Sequence, residues 1–104
     1  MESFAVGKPQ GLELCGGEPR FSVDAEDRAY VCFEVVHARR EEDVIVVWSR
    51  DETVERRTRV EIAPDRAQLS RVHLATTPDR IGQWTVRLEA GAEVLAEGAF
   101  EIVR

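Results

Sequence analysis

Apolar and polar residues alternate with a period of two along most of the chain. In the segment 28–37, Val31 and Phe33 fall on one side, whereas Tyr30 and Cys32 fall on the other. Successive side chains of a β-strand point to opposite faces, so this alternation predicts strands that bury one face. No segment keeps the period of a helix, which is about 3.6 residues.

Seven segments carry the strand pattern: 12–15, 28–37, 44–50, 53–62, 70–76, 83–89 and 93–103. Turn residues such as Gly, Pro and Asp separate them about every ten residues. This spacing predicts an all-β fold, an immunoglobulin-like β-sandwich of about seven antiparallel strands. Trp48 supports the prediction, because the third strand of an immunoglobulin fold often carries a buried tryptophan.

Two irregularities in the pattern predict local geometry. Arg56 falls on the apolar side of segment 53–62, so we expect that strand to start near a sheet edge, where its guanidinium reaches water. Leu95 and Phe100 have opposite parity in the last segment. Both point inward only if an extra residue lies between them, and we predict that bulge at Gly98.

The length of 104 residues indicates one domain, 1–104, with one hydrophobic core. We expect residues 1–27 to hold an N-terminal segment and the first strand, and residues 28–103 to form the sandwich body. Within them, Gly and Pro predict a loop at 7–11, and the segment 51–52 is predicted to be a tight turn.

The charge of the chain limits its partners. Twenty acidic and fourteen basic side chains alternate along the sequence and leave a formal net charge of -6. A field of this sign keeps a small domain soluble and repels phosphate backbones and anionic lipid surfaces, so we expect no nucleic-acid partner. No apolar run approaches the roughly 18 residues of a membrane span, so we expect no membrane insertion.

The first residues lack the basic and apolar regions of a secretory signal. If the chain is complete, this predicts a cytoplasmic protein; if a signal or anchor has been removed, it predicts an envelope or extracytoplasmic one. The two cysteines, Cys15 and Cys32, bear on the same question. Without a signal the default expectation is two reduced thiols. The alternative is a bridge between the first two strands, which requires Cα atoms about 4.4–6.8 Å apart.

The second half carries a recognisable pair of strands. Residues 82–88 read Gly-Gln-Trp-Thr-Val-Arg-Leu, and residues 94–102 read Val-Leu-Ala-Glu-Gly-Ala-Phe-Glu-Ile. A Gly-x-Trp-x-Val strand followed by a Val-Leu-Ala and Phe-x-Val/Ile strand resembles a bacterial domain family of unknown function, over roughly residues 28–103. The resemblance implies a small β-sandwich, often attached to secreted, lipid-anchored or membrane proteins, and it implies no catalytic residues.

Candidate chemistry is sparse. The two histidines, His37 and His73, lack the spacing of a zinc site, and the acidic run 41–43 is typical of a solvated turn rather than a calcium site. No nucleophile signature surrounds a serine or a cysteine. We therefore expect no metal, no cofactor and no enzymatic activity.

The informative anomaly is apolar surface on the predicted outer face. If Trp48 points into the core, Ile45 and Val47 point outward, and Tyr30 and Val36 do the same on the preceding strand. An apolar outer face is often an interaction site. These four residues form the predicted interaction surface. The simpler interpretation is that a loop or the N-terminal segment, with its apolar side chains at positions 4 and 6, covers the face.

The sequence therefore favours a non-catalytic protein–protein interaction domain, an adaptor or accessory module that uses this apolar face. The alternative is a self-associating structural domain, a homodimer formed through a sheet face or an exposed edge strand.

Overall fold

Two β-sheets packed face to face form the protein. The computed structural model describes residues 3–9, 15–16, 19–25, 28–35, 42–62 and 68–104. Its strands are β1 (Ser3–Pro9), β2 (Cys15–Gly16), β3 (Arg20–Ser22), β4 (Arg28–Val35), β5 (Glu42–Arg50), β6 (Thr53–Ile62), β7 (Gln68–Ala75), β8 (Gly82–Ala90) and β9 (Glu93–Val103). One 3₁₀ turn, Pro78–Arg80, precedes β8. The all-β prediction is confirmed, and within the described ranges no helix is long and apolar enough to cross a membrane.

The sheets contain four and five strands. The first has the order β2-β1-β4-β7 and the second the order β3-β9-β8-β5-β6. All pairings are antiparallel except that of β3 with β9, which is parallel. Strand β6 ends the five-stranded sheet, and Arg56 on it is exposed. The prediction of an edge at this strand is therefore confirmed.

The core lies between the sheets and follows the predicted alternation. Phe100 stands at its centre, with ring centroids 5.8 Å from Phe21, 6.0 Å from Trp48 and 5.9 Å from Trp84. The Phe21 and Trp48 rings meet it edge to face, and the Trp84 ring stacks on it. Such aromatic pairs add about 0.5–1.5 kcal/mol each to the free energy gained by burial alone.

The strands β1 and β3 were not predicted. Residues 7–9 were expected in a loop but end β1, which pairs with β4 from Ser3 to Gly7. The loop prediction is wrong there because Gly7 pairs with β4, and Lys8 and Pro9 pair with β2, despite the Gly and Pro in the segment. β3 has three residues, too few for a period to show, yet its Phe21 is fully buried.

The predicted bulge exists, but its position was wrong. In the β8–β9 pair the register shifts so that Leu88 opposes Ala96 and Glu89 opposes Val94, which leaves Leu95 as the extra residue. Gly98 stays in register. The bulge lies close to the turn that joins the two strands, and it lets half-buried Leu95 pack against the core.

Gly98 has a different structural role from the one predicted. A Cβ at this position would lie 2.9 Å from Cε1 of Phe4 and 3.0 Å from Cγ2 of Val6. The missing side chain lets these two β1 residues pack against the opposite sheet. Phe4 and Val6 therefore help to seal the core and do not cover an outer face.

The tight turn between β5 and β6 is confirmed. Asp51 and Glu52 both have positive φ, 50° and 70°, the backbone of a two-residue hairpin turn whose twist matches that of the flanking strands.

The default expectation for the cysteines is wrong. Cys32 is disulfide-bonded, and none of the described cysteines is free. The only other cysteine of the chain is Cys15. The disulfide involves β4, the strand that carries Cys32.

Candidate interaction surfaces

The outer face of the five-stranded sheet does not expose the apolar side chains of β5. Val47 is only 2% exposed, and Ile45 is half-buried. Val47 lies directly between Arg57 of β6 and Arg87 of β8. Opposite side chains of paired strands have Cβ atoms about 4.5–5.5 Å apart. We attribute the burial of Val47 to the aliphatic stems of these two arginines, which cover it while their charged ends reach water.

The other two residues of the predicted surface lie elsewhere. Tyr30 is on β4, in the four-stranded sheet, whereas Ile45 and Val47 are on β5, in the five-stranded sheet. The outer faces of the two sheets point in opposite directions. The half-buried ring of Tyr30 is 6.0 Å from the ring of His73, and the guanidinium of Arg71 lies 5.4 Å above it. Val36 lies outside the described residues. The structure therefore does not bring these side chains together into one surface.

Ion pairs occupy the outer face around Ile45 and Val47. Arg87 Nε lies 2.8 Å from Glu89 Oε2, and Arg59 lies 3.3 Å from Asp43 and 3.2 Å from Glu61. These side chains are about a third to two thirds exposed, and such pairs contribute about 0–1 kcal/mol each to stability. The face therefore presents charge of both signs, and its apolar atoms lie underneath.

A shallow depression of about 370 Å³ lies on the same face. It is lined by Ser49, Glu52, Val54, Thr85, Arg87 and Glu97. Its lining has two hydroxyls but no His, Cys or Lys that would activate one as a nucleophile. Both carboxylates belong to exposed residues, so the depression is wet and of mixed charge.

A free strand edge borders this face at β6. Its side towards β5 is fully paired, and no described strand pairs with its other side. The two halves of β6 differ in how they protect that edge. In the first half the register shifts between Trp48 and Ser49, which leaves Glu55 as an extra residue, and Arg56 opposes inward-facing Trp48. Bulges and inward-pointing charges are the usual devices that stop foreign strands from pairing with an edge.

The second half of β6 has neither device. Residues 57–62 pair regularly with β5, and their inner face carries Thr58, Val60 and Ile62. Thr58 Oγ1 accepts a hydrogen bond of 3.2 Å from the Trp48 indole, so the segment is held in place. Val60 is half-buried at the edge of the core.

Arg50 fixes the first half of the strand. Its Nε lies 2.5 Å from Glu55 Oε2, and its Nη1 donates a 2.6 Å hydrogen bond to the backbone carbonyl of Asp79. Its guanidinium carbon lies 5.3 Å from the centre of the Trp84 ring. This one side chain therefore joins the bulge of β6 to the 3₁₀ turn before β8.

The same turn holds Asp79, the one carboxyl among the described residues whose pKa is clearly shifted. The Thr77 hydroxyl donates a short hydrogen bond to Asp79, and with the backbone amide of Asp79 and the nearby charges of Arg80 and Arg50 it lowers the pKa of that carboxyl. Asp79 is exposed, and its lowered pKa reflects hydrogen bonding within the turn.

Metal chemistry has no site in the ranges that the structure covers. No three His, Cys, Asp or Glu side chains there are placed to hold an ion. His73 lies beside Tyr30, whereas His37 is outside the described residues, as is Glu41 of the acidic run 41–43. The position of Arg56 on the apolar side of its segment was the sequence signal that indicated the β6 edge.

Comparison of the chain with known protein families and with curated proteins finds no match.

Proposed function

We propose that this protein is a non-catalytic protein-interaction domain, an accessory or adaptor module, and that it binds by adding a partner's strand to the second half of β6. The observation that carries the proposal is the asymmetry of this edge: a bulge and an inward-facing arginine guard its first half, and neither guards its second. Main-chain hydrogen bonds to an open sheet edge are a recurrent mode of peptide and protein recognition.

The edge fits this role better than the sheet face. Val47 has almost no exposed surface and Ile45 is half-buried, so the face offers little apolar area. At the second half of β6, an added strand would satisfy backbone groups and would cover half-buried Val60. Side chains that alternate along the edge would then give specificity.

The sheet orders support an immunoglobulin-like assignment. The run β1-β4-β7 corresponds to strands A, B and E, and β9-β8-β5 to strands G, F and C. β6 then takes the place of the C′ strand that variable-type domains add to the second sheet. The disulfide departs from the antibody pattern, because the antibody bridge joins strands B and F, whereas β8, in the place of strand F, has no cysteine.

The disulfide also supports a location. Disulfides persist in oxidising compartments and are rare where thiols are kept reduced. We therefore propose that the domain lies in the cell envelope or outside the cell, as the resemblance to envelope-attached sandwich domains implies. On this proposal its partner is an extracytoplasmic protein.

One substitution pair tests the edge. Val60→Lys puts an inward-pointing charge at the centre of the second half, as Arg56 does in the first, and half-buried Val60 leaves the ammonium a route to water. Val54→Lys is the matched control, a valine in the same strand that is 37% exposed in the guarded half. A partner captured from an envelope extract should bind the parent and Val54→Lys but not Val60→Lys.

The captured complex should also slow amide exchange along residues 57–62. Binding that survives Val60→Lys, or protection confined to another part of the sandwich, would show that β6 is not the binding edge. Thermal unfolding of both variants is the control for folding: both should melt cooperatively, and Val60→Lys should lower the melting temperature more than Val54→Lys, because Val60 packs against the core.

A further inference from the structure

We infer that the strand which fits the β6 edge is β6 of a second copy of this chain, paired antiparallel about a two-fold axis at Val60. The inference rests on the proposed function, since it names the partner of the same edge. It comes from the order of charges along the strand. On the outer face of the second half, Arg59 and Glu61 flank Val60.

An antiparallel two-fold pairing places each residue opposite the one that lies equally far on the other side of the centre. With Val60 at the centre, Arg59 of each copy opposes Glu61 of the other. Opposite charges directly across a strand pair stabilise it, whereas like charges in that position destabilise it. The strand is therefore complementary to itself in this register.

Neighbouring registers are worse. A pairing centred on Thr58 would oppose Arg57 to Arg59, and a pairing centred on Glu61 would oppose that carboxylate to its own copy. A pairing centred on Arg59 would place two guanidinium groups against each other. Among these, only the Val60 register avoids a like-charged pair on the outer face of residues 57–61.

The inner face of the same register is apolar at its centre. Val60 would oppose Val60 of the second copy, and Thr58 would oppose Ile62. Val60 already packs against the core, so the pairing would extend the two cores towards each other across a continuous ten-stranded sheet. The bulge around Glu55 and the inward-facing Arg56 would stop the pairing from running into the first half.

The charges that the second copy would meet are well exposed. The side chains of Arg59 and Glu61 are 63% and 68% exposed. On β5, Asp43 lies opposite Glu61, and Arg59 contacts both carboxylates. A guanidinium from the second copy would stand opposite Glu61 and would weaken the repulsion between these two acids.

The expected dimer is weak. A pairing of about half a strand buries less than the roughly 1,000 Å² of a stable interface. We expect monomer at low concentration and dimer as the concentration rises to high micromolar values. Because the attraction includes exposed ion pairs, dissociation should increase with salt concentration.

Charge reversal gives a decisive test with the disulfide intact. Arg59→Glu makes both outer positions acidic, and Glu61→Arg makes both basic. Each variant alone should dimerise about tenfold more weakly than the parent, because two cross-strand pairs become like-charged. An equimolar mixture of the two should dimerise again, since every outer pair is then opposite in charge, and so should the double variant Arg59→Glu/Glu61→Arg.

Sedimentation velocity over a concentration series measures all five samples: the parent, the two single variants, their mixture and the double variant. Recovery in the mixture supports the β6–β6 pairing and excludes misfolding as the cause of the loss. Dimerisation that both single variants retain, or a parent that stays monomeric at every concentration, overturns the inference. If the parent is monomeric and Val60→Lys still loses a captured partner, the proposed function stands with a different partner strand.

Discussion

Phe4 lies over Gly98, the β9 residue that opposes Val86, and only a glycine leaves room for it. An added Cβ would be 2.9 Å from the Phe4 ring, closer than two such carbons approach in folded proteins. Through this contact β1 packs against the opposite sheet. It also explains why residue 98 is a glycine, although the sequence pattern predicted a bulge at this position.

Gly98→Ala should therefore destabilise the fold by about 1–3 kcal/mol, the usual cost of overpacking a core. Urea denaturation followed by tryptophan fluorescence measures the change. The exposed neighbour Ala99→Ser is the matched control and should change the free energy of unfolding by less than about 0.5 kcal/mol. The double variant Phe4→Leu/Gly98→Ala should lose less unfolding free energy than the two single variants lose together. Additive losses would show that the contact with the Phe4 ring is not what destabilises Gly98→Ala.

Val47 should behave as a core residue even though it points to the outer face. Val47→Ala removes apolar area from beneath Arg57 and Arg87 and should cost about 1–2 kcal/mol of unfolding free energy. Val54→Ala, a similar change at a side chain 37% exposed, should cost little. Equal small effects from the two substitutions would mean that the arginine stems do not bury Val47 in solution.

Reduction of the disulfide should lower stability. Cross-linking a loop of about 15 residues stabilises a protein by roughly 3 kcal/mol through the entropy of the unfolded chain. Denaturation of the parent with and without dithiothreitol measures the difference. Cys32→Ala should unfold at the lower denaturant concentration and should not respond to the reductant. A parent that is insensitive to dithiothreitol under conditions where thiol titration shows full reduction would contradict this.

The acidity of Asp79 gives a prediction about pH. Its pKa is lowered from the ordinary value of 3.8, chiefly by the hydrogen bond from Thr77. A lowered pKa means that the ionised form of Asp79 favours the folded state. Its contribution to stability is fully present above the ordinary pKa of 3.8 and is lost as the pH falls through the lowered pKa. NMR titration should show the Asp79 pKa rising towards 3.8 in Thr77→Val. An unchanged pKa in that variant would exclude the hydroxyl as the main cause.

Arg50 should hold the first half of β6 to the turn before β8. Arg50→Met keeps the aliphatic stem over Trp84 but removes both the pair with Glu55 and the hydrogen bond to the Asp79 carbonyl. Amide exchange should become faster at Thr53 and around the 3₁₀ turn. The second half of β6 should keep its protection, because its pairing with β5 does not involve Arg50. Faster exchange along the whole strand would show that the two halves are not independent.

The sequence was most informative where alternation is long. The segment 53–62 and the segment 93–103 were predicted with the bounds that the structure has, and the parity of Arg56 correctly predicted an edge. Strands of three residues, such as β3, carry no period, so Phe21 was missed as a core residue.

Parity alone predicted the candidate surface less well. It indicates which face a side chain occupies but not how buried it is there, and Val47, between arginines of two neighbouring strands, is only 2% exposed. It also does not show which sheet a strand joins, so Tyr30 and Ile45 were grouped although their sheets face opposite ways. The register that reveals the bulge beside Ser49 is a property of strand pairing, which only the structure shows.

The position of Phe100 has a consequence for biosynthesis. Its ring contacts Phe21, Trp48 and Trp84, yet it lies on β9, the last strand in chain order. A nascent chain that has not yet released β9 from the ribosome has neither the centre of its aromatic cluster nor the strand that pairs with both β3 and β8. The aromatic core and the five-stranded sheet can therefore be completed only after β9 has been synthesised.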